Sequence, residues 1–241
     1  MQQPREAPAR IALITGASRG IGRACALRLA RAGFSIRAHG RDRVALEETA
    51  RLLRAAGGEV ALHASDLRTA GALDALVAWA TEAGRLDVVV QNAGYLARSP
   101  VLEAKFSEWD AVLEVDLRLP MQLTALALPH LLESQGAIVF LGSVAALQGL
   151  PNSAAYCAAK HGLRGFASAL FEEVREQGVR VACIHPGFVN TEMVAGRDGL
   201  DYAKMIQPED VAELVHTAVT LPPNACVVEL TVRPQRAPYT G

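Results

Sequence analysis

Apolar residues along this chain fall into two alternating kinds of run. Short, nearly continuous stretches of Ile, Val, Leu and Ala occupy residues 11–15, 34–39, 60–65, 86–91, 137–141, 179–184 and 226–232. Continuous rather than alternating hydrophobicity marks strands covered on both faces. Between them, longer segments with helical spacing cover residues 20–32, 43–56, 70–83, 105–134, 153–177 and 208–221. Several of these end at a glycine (Gly33, Gly57, Gly58, Gly84, Gly178), the residue that most readily closes a helix. The alternation predicts an α/β fold with a mostly parallel, seven-stranded sheet and helices on both faces. Right-handed crossovers then favour a doubly wound strand order. No repeat, linker or break in composition interrupts the pattern. One domain is expected over residues 1–241, with irregular ends at 1–9 and 233–241.

Composition narrows the function classes. At 51% apolar and 20% charged residues the chain has ample material for a core. Its net charge of −1 argues against nucleic acid or an anionic membrane as an electrostatic partner. The first ten residues lack the apolar centre of a signal peptide, and no apolar stretch is long enough to cross a membrane. Cys25, Cys157, Cys183 and Cys226 are widely separated and lie near no histidine cluster, so neither a zinc site nor a disulfide framework is predicted. A cytoplasmic address is the expectation.

Chemistry first enters after the first strand, at Thr15-Gly16-Ala17-Ser18-Arg19-Gly20-Ile21-Gly22. Glycines let a backbone turn sharply and approach a pyrophosphate, and the helix that follows presents unpaired N–H groups to it. The spacing is G-x-x-x-G-x-G rather than the commoner G-x-G-x-x-G. A second signal is Tyr156 with Lys160, four residues apart on a predicted helix and therefore on one face. The chain has four tyrosines and only three lysines (Lys105, Lys160, Lys204), so chance is a poor explanation of the pair.

Together these segments resemble the short-chain dehydrogenases/reductases. Thr15–Gly22 is similar to that family's T-G-x-x-x-G-I-G signature, and further matches follow in the family's order. Asp66-Leu67 looks like its adenine-contacting pair, Asn92-Ala93-Gly94 like its N-A-G motif, and Tyr156-Cys157-Ala158-Ala159-Lys160 like Y-x-x-x-K. Ser143 follows the fifth strand, and Pro186-Gly187, Val189 and Thr191 follow the sixth. The resemblance spans roughly residues 10–232. It implies a Rossmann-type fold and a nicotinamide cofactor held by Gly16, Ser18, Arg19, Gly20, Ile21, Gly22, Arg41, Asp66, Leu67, Asn92, Ala93, Gly94, Tyr156, Lys160, Pro186, Gly187, Val189 and Thr191. No metal is implied.

The implied reaction moves a hydride between the nicotinamide and a carbonyl or alcohol carbon. Tyr156 would exchange the proton. A free phenol ionises near pH ~10, and a neighbouring ammonium is expected to lower that value. Lys160 would also hydrogen-bond the nicotinamide ribose, and the Ser143 hydroxyl would hold the substrate oxygen. The sequence departs from the family at one point: Asp116 stands where an asparagine usually supports the proton relay. It is taken as a fourth member of the catalytic set, and its carboxylate is expected to raise the Lys160 pKa and weaken the lysine's hold on Tyr156. Gln91 is a smaller departure, since asparagine is commoner there. His130, His161 and His185 read as structural.

For the cofactor, an acidic residue at the end of the second strand would bind the adenosine ribose and repel a 2′-phosphate. The strand instead ends at Gly40, with Arg41 next to it and Arg19 in the glycine turn, two guanidiniums suited to phosphate. NADP(H) is therefore predicted over NAD(H), with ketone or aldehyde reduction as the direction. Pocket walls are sought in Tyr95, Leu96, Leu147, Leu150, Phe188, Met193, Tyr202 and Met205. Glu192, Arg197, Asp198, Asp201 and Lys204 are nearby charges. Apolar residues around much of the helices at 105–134 and 153–177 suggest a partner, and the resemblance implies a homodimer or homotetramer. The competing reading is a catalytically weak NADP(H)-binding sensor or scaffold.

Overall fold

The computed structural model describes residues 9–196 and 198–239. Arg197, the first eight residues and the last two lie outside it. Seven strands form one sheet: β1 (Ile11–Ile14), β2 (Ser35–Gly40), β3 (Val60–Ala64), β4 (Val88–Gln91), β5 (Ala137–Leu141), β6 (Arg180–Pro186) and β7 (Glu229–Val232). Every neighbouring pair is parallel, in the order 3-2-1-4-5-6-7. The helices are α1 (Gly20–Arg31), α2 (Arg43–Ala55), α3 (Ala72–Ala80), α4 (Phe106–Leu113), α5 (Leu119–Ser134), α6 (Ala154–Val174) and α7 (Pro208–Thr220).

Strand alternation sorts the core into two layers. Ala12 and Ile14 of β1 pack with α1, α2 and α7, while Ile11 and Leu13 face α3, α5 and α6. The same division runs through Val139 against Phe140 in β5 and Ile184 against Cys183 in β6. Both faces of the central strands are thus buried, which is why their sequences read as unbroken apolar runs.

Three predicted elements differ from those observed. The last strand begins at Glu229 rather than at 226, because β6 pairs with β7 only from Cys183 onward. The helix expected over 105–134 is broken: a π-helical turn, Glu114–Arg118, separates α4 from α5. Pro120 explains the break, since proline has no N–H to offer the carbonyl four residues earlier, that of Asp116. Finally, the tail after β7 is irregular but attached. Tyr239 bridges Leu200, its ring meets Phe188 edge-on with centroids 5.8 Å apart, and Asp201 N–H donates to the Pro238 carbonyl at 3.0 Å.

At the amino-terminal ends of the central strands, Asp87 fixes the start of β1. Its buried carboxylate accepts the Ile11 N–H at 2.7 Å and the Arg85 Nε–H at 2.8 Å. Replacing Asp87 by Ala would leave a buried amide without a partner, at a cost of about 1–3 kcal/mol. Urea unfolding of the Asp87→Ala variant is expected to show that loss as a lower midpoint with an unchanged slope.

Candidate active site

The sheet reverses its winding between β1 and β4, and the connections at the carboxyl ends of the strands there enclose a cleft of about 970 Å³. The turn from β1 to α1 forms one wall. Gly16 and Gly20 take left-handed backbone, with φ of 67° and 52°. No side chain caps the amino end of α1 and no acidic residue lies in its first turn, so its N–H groups face the cleft. Gly22 lies beneath the turn rather than on the cleft. A Cβ there would stand 2.2 Å from the Gly16 carbonyl oxygen, so this glycine shapes the cradle without reaching its contents.

Two distant residues hold the turn in place. Thr15 Oγ1 accepts the N–H groups of Asn92 and Ala93, each at 3.1 Å. Asn92 Nδ2 in return donates to the carbonyls of Thr15 at 3.0 Å and Gly16 at 3.1 Å. The Nδ2 group of Asn92 is thereby engaged by protein. From behind, Arg23 donates to the Ser18 carbonyl at 2.5 Å and to Thr49 Oγ1 at 2.9 Å, and Thr49 donates to the Ala17 carbonyl at 3.0 Å. Sequence reading had no signal for Arg23 or Thr49, whose contacts span distant segments.

Gly16, Ser18, Arg19, Gly20, Ile21, Arg41, Asp66, Leu67, Asn92, Ala93, Gly94, Asp116, Ser143, Tyr156, Lys160, Pro186, Gly187, Val189 and Thr191 all line this one cleft. His39 joins them, unforeseen. Burial holds its imidazole down at about 4, opposed by the hydrogen bond to the Ser65 carbonyl, so it is neutral at physiological pH. Arg19 stands 3.8 Å from the Asp42 carboxylate, both side chains about half exposed. Hydrogen bonds from Arg68 hold the Asp66 carboxyl down at about 2.

The far end of the cleft gathers Ser143, Tyr156, Lys160 and Asp116. Tyr156 and Lys160 leave the first turns of α6, both buried, with the ammonium 5.6 Å from the centre of the phenol ring. Lys160 donates to the Leu141 carbonyl at 2.9 Å and stands 3.0 Å from Asp116 Oδ1. Asp116, on the π-helical turn, is 1% exposed, and its Oδ2 accepts the Tyr95 N–H at 3.0 Å. Ser143 opens the connection that follows β5 and accepts the Ala145 N–H at 3.1 Å.

Burial dominates the electrostatics of this cluster. It pulls the Lys160 ammonium downward, but the Asp116 charge 3.0 Å away and Tyr156 together leave the lysine above its ordinary value. Burial lifts the Asp116 carboxyl, opposed by Lys160 and the Tyr95 N–H. The phenol corrects the expectation drawn from sequence. Burial and the Asp116 charge raise it, and Lys160 and the nearby Ser143 hydroxyl recover only part of that rise.

The expected pocket walls hold in part. Tyr95, Leu96, Glu192 and Met193 line the cleft, together with Ala111, Val115 and Val194. Leu147, Leu150, Phe188, Tyr202 and Met205 do not. Met205 is buried, Leu150 packs against the cluster around Tyr156, Phe188 meets Tyr239, and Tyr202 Oη donates to the Val194 carbonyl at 3.1 Å. Arg197 lies outside the described residues. Of the remaining nearby charges, Lys204 pairs with Asp201 at 2.9 Å, away from the cleft.

Comparison with known proteins agrees with this geometry. The short chain dehydrogenase family model matches residues 10–199. An uncharacterized oxidoreductase of Staphylococcus aureus is 32% identical over 227 residues, covering 93% of this chain and 97% of that protein. A metagenomic short-chain oxidoreductase crystallised with NADP is 34% identical with a TM-score of 0.83, over 94% of this chain and 98% of that one. An actinorhodin polyketide ketoreductase variant crystallised with NADPH is 30% identical with a TM-score of 0.87, over 94% of this chain and 96% of that one. With the glycine turn, the N-A-G loop and the Ser-Tyr-Lys cluster on a single cleft of a seven-stranded parallel sheet, the chain belongs to the short-chain dehydrogenase family of oxidoreductases.

Proposed function

We propose that this protein is an NADP(H)-dependent reductase of ketones or aldehydes, with Tyr156 as the proton donor. The observation that carries the reading is the convergence of Ser143, Tyr156 and Lys160 at one end of a cleft whose other end is a glycine cradle. Two relatives that share about a third of its residues were crystallised with NADP or NADPH.

The residues present fit such a cofactor. A Cβ at Gly16 would stand 2.8 Å from Asn92 Nδ2, so only glycine leaves this turn open for a pyrophosphate on the N–H groups of α1. At the adenosine end, a Cβ at Gly40 would stand 2.1 Å from Ser18 Oγ. The acidic side chain that excludes a 2′-phosphate thus has no space there, while Arg41 and Arg19 border the same region. Arg41 is the stronger candidate, because Arg19 leans on Asp42. Bound in this cleft, NADPH would supply the hydride.

The chain's own residues do the rest. Ser143 holds the substrate oxygen beside the phenol, Tyr156 releases its proton to that oxygen, and Lys160 orients the ribose. A buried phenol that resists ionisation suits the role of acid at neutral pH. Tyr95, Leu96, Met193 and Val194 make the substrate side mainly apolar, with the acidic Glu192 beside them. An apolar carbonyl compound fits this wall. Phe106, Leu113 and Met121 on α4 and α5 are exposed, and we assign that face to a second copy of the chain. No helix among the described residues is long and apolar enough to cross a membrane.

A panel of carbonyl compounds, followed by loss of NADPH absorbance, tests the reading against that of a cofactor-binding sensor without turnover. Tyr156→Phe is expected to lower kcat by roughly 10²–10⁴-fold while NADPH still binds. Unchanged turnover in that variant would remove the phenol from the chemistry. Arg41→Ala is expected to weaken NADPH binding by about 10- to 100-fold and to leave NADH within about twofold, as fluorescence titration of both nucleotides would reveal.

A further inference from the structure

The carboxylate of Asp116 faces a cation with one oxygen and an N–H donor with the other. Oδ1 stands 3.0 Å from the Lys160 ammonium, and Oδ2 accepts the Tyr95 N–H at 3.0 Å. An amide side chain has one acceptor oxygen and one donor nitrogen. Asparagine here would therefore turn its NH₂ toward either the ammonium or the Tyr95 amide, a donor against a donor. The surroundings are built around a carboxylate, and Gly94 leaves the space for it, since a Cβ at that position would stand 3.0 Å from Oδ1.

The charges around the phenol can be followed element by element. Lys160 and Cys157 lie with it on α6, Asp116 on the π-helical turn, and the Ser143 hydroxyl after β5. On β6, behind the lysine, burial pushes Cys183 up to about 12 and lowers His185, so both are neutral. Beyond them Arg164 and Glu229 pair with one another at 2.9 Å. Beside the phenol this leaves one cation and one anion, held together and shielded from water. Without Asp116 the same site would carry an uncompensated positive charge, which favours a phenolate.

We propose that Asp116 is a positioning residue that cancels the charge of Lys160 and tethers the Tyr95 loop, keeping Tyr156 protonated and so suiting the site to give a proton to a carbonyl rather than to take one from an alcohol. The inference rests on Tyr156 being the acid. In the reductive direction the phenol O–H bond breaks and its proton forms the alcohol O–H. The carbonyl carbon takes the hydride that NADPH supplies, and water returns a proton to the phenolate. Reduction then persists until pH rises through the phenol's pKa, whereas oxidation begins only above it.

The test is a tyrosinate absorbance titration of the cofactor-free protein, taken as the difference from Tyr156→Phe, and repeated for Asp116→Asn against its double variant with Tyr156→Phe. In the wild type Tyr156 is expected to ionise above the ordinary phenol value of about 10, or not at all before the protein unfolds. In Asp116→Asn it is expected to ionise at least about one pH unit lower. The alkaline fall of kcat/KM for reduction, and the rise for oxidation, should move by the same amount. A merely structural Asp116 would lower Tm and leave the titration in place, and equal titrations would overturn the proposal. So would a wild-type phenol ionising below about 10, a measurement that decides the matter alone if Asp116→Asn fails to fold. Should Tyr156→Phe retain full turnover, the fault lies with the assignment of the acid, and the titrations still report on Asp116.

Discussion

Strands β1 and β4 lie side by side in the sheet, yet Thr15 and Asn92 are 77 positions apart, and what joins the strand ends is a four-bond clasp between Thr15-Gly16 and Asn92-Ala93. Parallel strands put all their carboxyl ends on one edge, so every loop that carries chemistry must start there. Next to this clasp the glycine turn opens in one direction and the Tyr95 loop in the other. Each loop's position depends on the clasp, because both leave the sheet within two residues of it. A nucleotide site at one end of the cleft and a proton site at the other thus share a single anchor.

Much of this arrangement is legible along the chain, and what is hidden is hidden for physical reasons. Central strands announce themselves because both their faces are buried. Their ends are harder to place, as in β7, where pairing with a neighbour decides the boundary. The break at Glu114–Arg118 hides within an unbroken apolar pattern, although Pro120 marks it for a reader who asks which carbonyl loses its donor. Motif positions fall on the cleft because the backbone geometry of a glycine turn is local. The Arg23–Thr49 brace and the contact of Tyr239 with Phe188 are not local, and no spacing rule discloses them.

The phenol illustrates the same limit. A Tyr and a Lys four residues apart invite the inference that the cation lowers the phenol's pKa. That inference, even with Asp116 counted against it, neglects the medium. In the folded protein, burial acts on both groups at once and Asp116 draws on the lysine from the other side. Desolvation belongs to the whole environment, so it cannot be read from a pair of residues.

The π-helical turn amounts to one extra residue threaded into what would otherwise be a single helix from Phe106 to Ser134. Each helical residue advances about 100° around the axis. The wide turn absorbs that advance and keeps the faces of α4 and α5 in step; excising the residue would restore a plain α-helix and pull Asp116 out of line with Lys160. The register at this turn is therefore tied to the site: a gain or loss of one position moves a buried carboxylate, whereas a change of side chain at an exposed helical position leaves it where it is.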